Sequence, residues 1–172
     1  LKVIFVGMRL VLSVATLLLC LHLKAQQFSD VTNEAEVFHL PIHQNLMGGG
    51  VVWLDYDSDG NEDLYFSGCR VRDVLYRNNG DGTFSNETFS AGLTFTDLFN
   101  TMGADQGDLN NDGFPELFIT TWENSTGLEL VRNSLYLNNG DGTFTDISAN
   151  AGVTDESWST SAVMLDINLD GF

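Results

Sequence analysis

Basic residues are scarce in this chain. Its 172 residues include 7 Lys+Arg against 24 Asp+Glu, a formal net charge of −17. Nucleic-acid binding needs clustered Lys/Arg to neutralise phosphates, so that class is excluded, and docking on an anionic membrane surface is disfavoured for the same reason. Cysteine is scarcer still, with 2. Cys20 lies in a segment expected to be removed, and Cys69 by itself cannot form an internal disulfide, so no disulfide frame holds the fold. No apolar run reaches the roughly 20 residues of a comfortable membrane-spanning helix. Outside the N-terminal segment no 3.6-residue periodicity is long enough for a sizeable helix. What is present is apolar bulk: 43% hydrophobic and 11% aromatic residues support a packed core and separate the chain from acidic disordered sequences.

The N-terminus has its own character. Met8-Arg9 precedes an almost wholly apolar stretch, residues 10–23, followed by Lys24-Ala25-Gln26-Gln27. A short basic start, an apolar run and a small residue at the exit read as a secretory signal peptide over residues 1–25, cleaved after Ala25, although Leu23 is large for the −3 position. An uncleaved anchor is the rival reading. A lipoprotein through Cys20 is weaker, because Leu19 is too large to precede a lipidated cysteine. Leu1 suggests that translation starts at Met8 or at an alternative codon. Cleavage removes Lys2, Arg9 and Lys24, leaving 4 basic against 24 acidic residues, a net of −20. The expected location is secreted, periplasmic or cell surface, with no membrane insertion after cleavage.

Internal repetition is the main signal. Trp53-Leu54-Asp55-Tyr56-Asp57-Ser58-Asp59-Gly60-Asn61-Glu62-Asp63-Leu64 aligns with Gln106-Gly107-Asp108-Leu109-Asn110-Asn111-Asp112-Gly113-Phe114-Pro115-Glu116-Leu117. A third copy begins at Met164-Leu165-Asp166-Ile167-Asn168-Leu169-Asp170-Gly171-Phe172, and the first aspartates are 53 and 58 residues apart. Leu75-Tyr76-Arg77-Asn78-Asn79-Gly80-Asp81-Gly82-Thr83-Phe84 returns 60 residues later as Leu135-Tyr136-Leu137-Asn138-Asn139-Gly140-Asp141-Gly142-Thr143-Phe144, and Ala91-Gly92-Leu93-Thr94 returns as Ala151-Gly152-Val153-Thr154. Phe28-Ser29-Asp30-Val31-Thr32 resembles Phe144-Thr145-Asp146-Ile147-Ser148. Ordered elements at near-fixed period mark a repeat array.

Each unit reads as four short strands. In the first, apolar β-branched and aromatic runs lie at 51–54 and 64–66. Segments 75–77 and 83–85 flank Asn-Gly-Asp-Gly, a hairpin signal because those residues tolerate positive φ. The second unit repeats this near 102–106, 117–121, 135–137 and 143–147. Four strands per 55–60 residues suit a propeller blade better than a sandwich. The expectation is an all-β partial β-propeller of two blades and the start of a third, preceded by the signal peptide. Its parts are the signal peptide 1–25, a lead-in at 26–47, repeat one at 48–101, repeat two at 102–160 and a truncated repeat three at 161–172.

Spacing gives the acidic loops their chemistry. Oxygens at positions 1, 3 and 5 of a curled loop turn toward a hard cation, Gly at 6 permits the turn, and a carbonyl at 7 with a carboxylate at 9 completes the shell. In loop one these are Asp55, Asp57, Asp59, the Asn61 carbonyl and Asp63; in loop two, Asp108, Asn110, Asp112, the Phe114 carbonyl and Glu116. Loop three offers Asp166, Asn168 and Asp170. All-oxygen sets rich in carboxylate favour calcium, with magnesium second. An EF-hand would need Glu at position 12 and helical flanks; Phe66 and Ile119 stand there, between strands. Four carboxylates in one turn repel each other unless a cation joins them.

These loops resemble those of FG-GAP/VCBS repeats, the calcium-bearing repeats also found in integrin α-subunit propellers. Together with the Phe-Ser-Asp-Val-Thr, Leu-Tyr-Arg-Asn-Asn-Gly-Asp-Gly-Thr-Phe and Ala-Gly-Leu-Thr elements, they are similar to secreted bacterial proteins that carry such repeats before an ASPIC/UnbV domain. The resemblance spans residues 28–172 and implies a propeller with calcium between the first two strands of each blade. No ASPIC/UnbV domain is expected within these residues, and two to three units cannot close a ring, which points to a fragment of a longer protein or a truncated gene model.

Smaller features are read as structural. His39 and His43 lack a third ligand; Asp81 and Asp141 belong to hairpin turns; Trp53, Trp122 and Trp158 suit blade packing better than a sugar-stacking face. Asn86-Glu87-Thr88 and Asn124-Ser125-Thr126 fit glycosylation acceptors that matter only in a eukaryotic secretory route. Eleven residues separate Asp63 from Leu75 but 18 separate Glu116 from Leu135, an insertion within 123–134 of the kind that carries partner contacts. The expected function is a non-enzymatic, calcium-binding module for adhesion or for recognition of a protein or glycan ligand. Besides a purely structural spacer, the alternative is the propeller portion of a secreted carbohydrate-active enzyme, such as a polysaccharide lyase. Against it, no acid/base pair, nucleophile or His-based constellation stands apart from the loop carboxylates.

Overall fold

The structure, a computed structural model, describes residues 28–38, 49–68, 72–93, 100–122, 132–154 and 158–167. The chain divides into Leu1–Val31 and Thr32–Phe172, and the architecture below is that of the second unit. The expected signal peptide, His39, His43, Cys69, Asn168, Asp170 and most of the 123–134 insertion lie outside the described residues.

The molecule is all-β in character. β1 Val51–Leu54, β2 Asp63–Phe66, β3 Val74–Asn78 and β4 Phe84–Asn86 form one sheet; β5 Asn100–Gly107, β6 Glu116–Trp122, β7 Ser134–Asn138 and β8 Phe144–Asp146 form another. In each sheet the strands lie side by side in chain order, and every pair is antiparallel. β5 begins at Asn100 and runs across residue 102, where the second repeat was expected to start. Among the described residues helix is confined to two four-residue turns, α1 Thr32–Ala35 and α2 Ser148–Ala151.

Local chemistry explains the strands and their joints. β1 alternates, with Val52 and Leu54 buried while Val51 and Trp53 face outward, the period-two pattern of a sheet covered on one face. The third and fourth strands of each sheet are joined by Asn-Gly-Asp-Gly-Thr. There Gly80 and Gly82 take φ of 75° and 92°, and Gly140 and Gly142 take 72° and 82°, which a Cβ would strain. Asp81 Oδ1 accepts from the Thr83 N–H at 2.9 Å and Asp141 Oδ1 from the Thr143 N–H at 3.1 Å, so both aspartates serve their own turns. After the fourth strand, Thr88 Oγ1 and Ser148 Oγ accept from the N–H groups of Leu75 and Leu135, each at 2.9 Å. A hydrogen-bonded turn at 88–92 in the first repeat and the short helix α2 in the second follow, closed by the Ala-Gly-Leu and Ala-Gly-Val elements.

One core serves both sheets. Val52, Leu54, Tyr56, Tyr65, Leu75, Ala91 and Leu93 of the first repeat pack with Leu117, Ile119, Tyr136 and Phe144 of the second. Polar contacts also cross the boundary. Buried Asn138 donates to the Tyr56 carbonyl at 2.8 Å, and Phe144 N–H donates to the Ala91 carbonyl at 2.9 Å. The Tyr56 and Phe144 rings stack 6.1 Å apart.

Glycines bring the segments that lead into successive acidic loops close together. A Cβ on Gly50 would meet the Gly103 Cα at 3.2 Å, and a Cβ on Gly103 would meet the Ser161 Cα at 3.2 Å. Gly50, Gly103 and Ser161 each stand five residues before the first aspartate of their loop, so the same contact recurs between equivalent positions. Ser67 Oγ bonds both the Gly50 N–H and carbonyl, and Thr120 Oγ1 does the same for Gly103.

Leu75 is fully buried and Val51 is half exposed on the same sheet. Leu75→Ala is expected to cost about 2–5 kcal/mol and Val51→Ala within about 0.5 kcal/mol in urea unfolding. Asn138→Ala leaves the buried Tyr56 carbonyl unpaired and should cost about 1–3 kcal/mol. A neutral result there would mean that the Asn138 bond adds nothing to the boundary beyond its apolar packing and the Phe144 to Ala91 backbone bond.

Candidate metal centre

Both acidic loops connect the first and second strands of their sheet, and they fold alike because their own side chains bond their own backbone. In loop one, Asp55 accepts from Asp59 N–H with Oδ1 at 3.0 Å and from Gly60 N–H with Oδ2 at 3.0 Å. In loop two, Asp108 accepts from Asp112 N–H at 3.1 Å and from Gly113 N–H at 2.9 Å. The third position, Asp57 or Asn110, accepts from the N–H of the fifth. The fifth, Asp59 or Asp112, accepts from that of the seventh. Such a curl needs left-handed backbone twice. Ser58 and Asn111 have φ of 56° and 59°, and Gly60 and Gly113 have 85° and 89°.

The ninth residue fixes the loop to the sheet. Asp63 opens β2, is fully buried, and accepts from the N–H groups of Tyr56 at 3.1 Å and Asn78 at 2.7 Å. Burial outweighs those two bonds and, with the charges of Asp57 and Asp59, pushes its carboxyl from 3.8 up to about 6. Glu116 opens β6 in the same way, buried, with Oε2 accepting from Leu109 N–H at 2.7 Å. Burial raises its carboxyl too, although the Leu109 and Asn138 amides favour the anion. Its other oxygen, Oε1, is buried without a hydrogen bond of good geometry.

The loops differ in what faces the third and fifth positions. In loop one, Arg77 on β3 donates from Nε to Asp57 at 2.5 Å and from Nη2 to Asp59 at 2.7 Å. Asp59 Oδ1 also takes the Asn61 side-chain amide at 2.9 Å. In loop two the residue equivalent to Arg77 is Leu137, and Asn110 Nδ2 itself donates to Asp112 Oδ2 at 2.8 Å.

Of the residues expected to hold a cation in loop one, Asp55, Asp57 and Asp63 come together, with oxygens all within 4.8 Å of one another. Asp59 is outside that trio and bonds Arg77 and Asn61. The loop-two counterparts of the trio are Asp108, Asn110 and Glu116. Position seven does more than offer a carbonyl, since the Asn61 and Phe114 side chains lie against Gly80 and Gly140, where a Cβ would meet them at 3.3 and 2.9 Å. Asp166 is described and half-buried. Trp122 and Trp158 meet edge to face at 5.4 Å, while Trp53 stands on the exposed face of β1. Sequence reasoning missed Arg77; its signal was the paired change from Asp57 and Arg77 to Asn110 and Leu137.

The donor set fits a hard divalent cation: oxygen throughout, three carboxylates within reach in loop one, and a buried carboxylate oxygen in loop two lacking a proper donor. The sequence pattern of the FG-GAP-like repeat family matches residues 55–119 and again 108–172. Each match starts at the first aspartate of an acidic loop. No curated protein matches the chain.

The raised Asp63 carboxyl has a pH signature. Between about pH 4 and 6 the folded chain holds a proton at Asp63 that the unfolded chain has released, so stability falls as pH rises through that window and levels off above it. With chelator present, the melting temperature of Asp63→Asn should lack this part of the decline. A variant whose slope matches the parent would show that the two N–H bonds cancel the effect of burial.

Proposed function

The chain belongs to the FG-GAP-like repeat family, and on that footing we propose that it is part of a calcium-stiffened β-propeller working outside the cytoplasm as a non-enzymatic binding module. The observation that carries this reading is the doubled loop. Two turns of different sequence adopt one hydrogen-bonding pattern, and in each the ninth-position carboxylate is buried at the foot of the loop. A carboxylate is costly to bury unless something compensates its charge.

The propeller reading draws support from the contact between Gly50 and Gly103, repeated between Gly103 and Ser161. One spatial step carries the first strand of each repeat to the next, as it would around a ring. Closing that ring takes more repeats than two, so the reading extends to a longer parent, of the secreted bacterial type in which an ASPIC/UnbV domain follows such repeats. An N-terminal signal peptide over residues 1–25 accounts for export.

Within each loop the residues divide the work. Asp55 and Asp108 hold the turn shut through two N–H bonds each, and Asp57 and Asn110 set the curl. Asp63 and Glu116 tie the loop to the second strand. A bound calcium ion would supply positive charge where these oxygens converge and so join the ends of the loop. The prominent carboxylates are thereby committed to holding the blade in shape, which weighs against the lyase-like alternative. Exposed surface, including Trp53, remains for a protein or glycan partner. A glycan array paired with a lyase assay on the parent protein separates the two readings, and eliminative cleavage of a polysaccharide would overturn the non-enzymatic one.

Calcium at a hundred times its dissociation constant should add about 2.7 kcal/mol to stability per site, read as a higher melting temperature than in chelator. Magnesium should add less. Asp108→Asn and Asp55→Asn should each remove one site in calorimetric titration, without unfolding the chain. Melting curves that coincide in calcium and in chelator would sink the calcium reading.

A further inference from the structure

The two loops give an internal comparison that the family pattern does not address. At positions one, three, five and nine, loop one carries four carboxylates, Asp55, Asp57, Asp59 and Asp63, with the Arg77 guanidinium against them, and Glu62 adds a fifth at position eight; loop two carries three, Asp108, Asp112 and Glu116, with no guanidinium against them among the described residues. Over those four positions and the facing β3 or β7 residue the net charge is the same. Where loop one has an extra carboxylate at Asp57, β3 brings Arg77; where loop two has the neutral Asn110, β7 brings Leu137. Asn110 then makes with its own amide the bond to Asp112 that Arg77 makes to Asp59.

We propose that Arg77 is a built-in counter-cation of the first loop, competing there with the divalent ion, so that the second loop fills first and the first acts as the weaker, displaceable site. The proposal rests on the calcium reading above. Asp57 is one of the three residues whose oxygens converge, yet Oδ2 of that carboxylate holds Arg77 Nε and Oδ1 holds the Asp59 N–H. A cation drawing on Asp57 must share that carboxylate with the guanidinium or displace it. Displacement is feasible because the pair is partly open to solvent: the Arg77 side chain is 38% exposed, Asp57 16% and Asp59 26%. Exposed ion pairs are weak and screened by salt. In the ion's absence the same guanidinium relieves repulsion between Asp57 and Asp59, so loop one keeps its shape when empty. Loop two needs no such relief.

Calorimetric calcium titration of Arg77→Leu tests this, in the Asp108→Asn background so that loop one is read by itself. Removing Arg77 should tighten loop one about tenfold or more, while lowering the melting temperature in chelator. Asp57→Asn with Arg77→Leu copies the loop-two arrangement, and in the otherwise unaltered chain it should bring the two sites to similar affinity. An affinity unchanged or weakened by Arg77→Leu would overturn the proposal and leave calcium binding standing. Absence of calcium heat in both the parent and Arg77→Leu would instead remove the metal reading and this proposal with it. The chelator melts keep the two failures apart, since they read the Arg77 pairing without any ion.

Discussion

Everything in this structure depends on how carboxylates are made to sit together in one short turn. The first aspartate of each loop takes two N–H groups from four and five residues ahead, the third-position residue takes one, and the fifth takes another. Those bonds satisfy amides that a turn of this curvature would otherwise leave bare. They also fix the directions of the remaining oxygens. The loop is therefore shaped before any ion is considered, and its shape is what gathers negative charge.

That charge is tied to the core through position nine. Asp63 and Glu116 are at once the last residues of their loops and the first of β2 and β6. Tyr56, inside loop one, belongs to the shared apolar cluster, and its carbonyl is held by Asn138 of the other sheet. The turn that looks most like surface is thus bound on one side to its own sheet and on the other to its neighbour. A repeat in such an array has no self-sufficient core, and its stability is shared across the boundary.

The parts of the fold legible in the sequence are those set by local chemistry. Strand alternation marked β1, Asn-Gly-Asp-Gly marked both hairpins, and the carboxylate spacing marked both loops. In each case the residues that carry the signal are near neighbours in the chain. What escaped notice depends on distant residues meeting. Arg77 reaches Asp57 from twenty positions away, and nothing in the hairpin motif around it says that it faces the loop. Asp59, counted among the cation ligands from its spacing, has one oxygen bonded to Arg77 and the other to Asn61, and neither bond follows from the spacing of the aspartates. Nothing in the local pattern around Gly50 and Gly103 says that they meet, and the contact shows only once the sheets are packed. In the sequence the trace of Arg77 is a paired difference between repeats, Asp57 with Arg77 against Asn110 with Leu137.

The Gly50 to Gly103 to Ser161 contact bears on how such a chain lengthens over evolutionary time. Gly103 both receives the preceding repeat, at Gly50, and abuts the following one, at Ser161, so the two mating surfaces are encoded within a single repeat. A duplicated segment of gene built this way arrives already able to fit between old neighbours, with no compensating change required in either. The same economy sets a limit, because a Cβ at position 103 already meets the Ser161 Cα at 3.2 Å and leaves no room for a bulky residue.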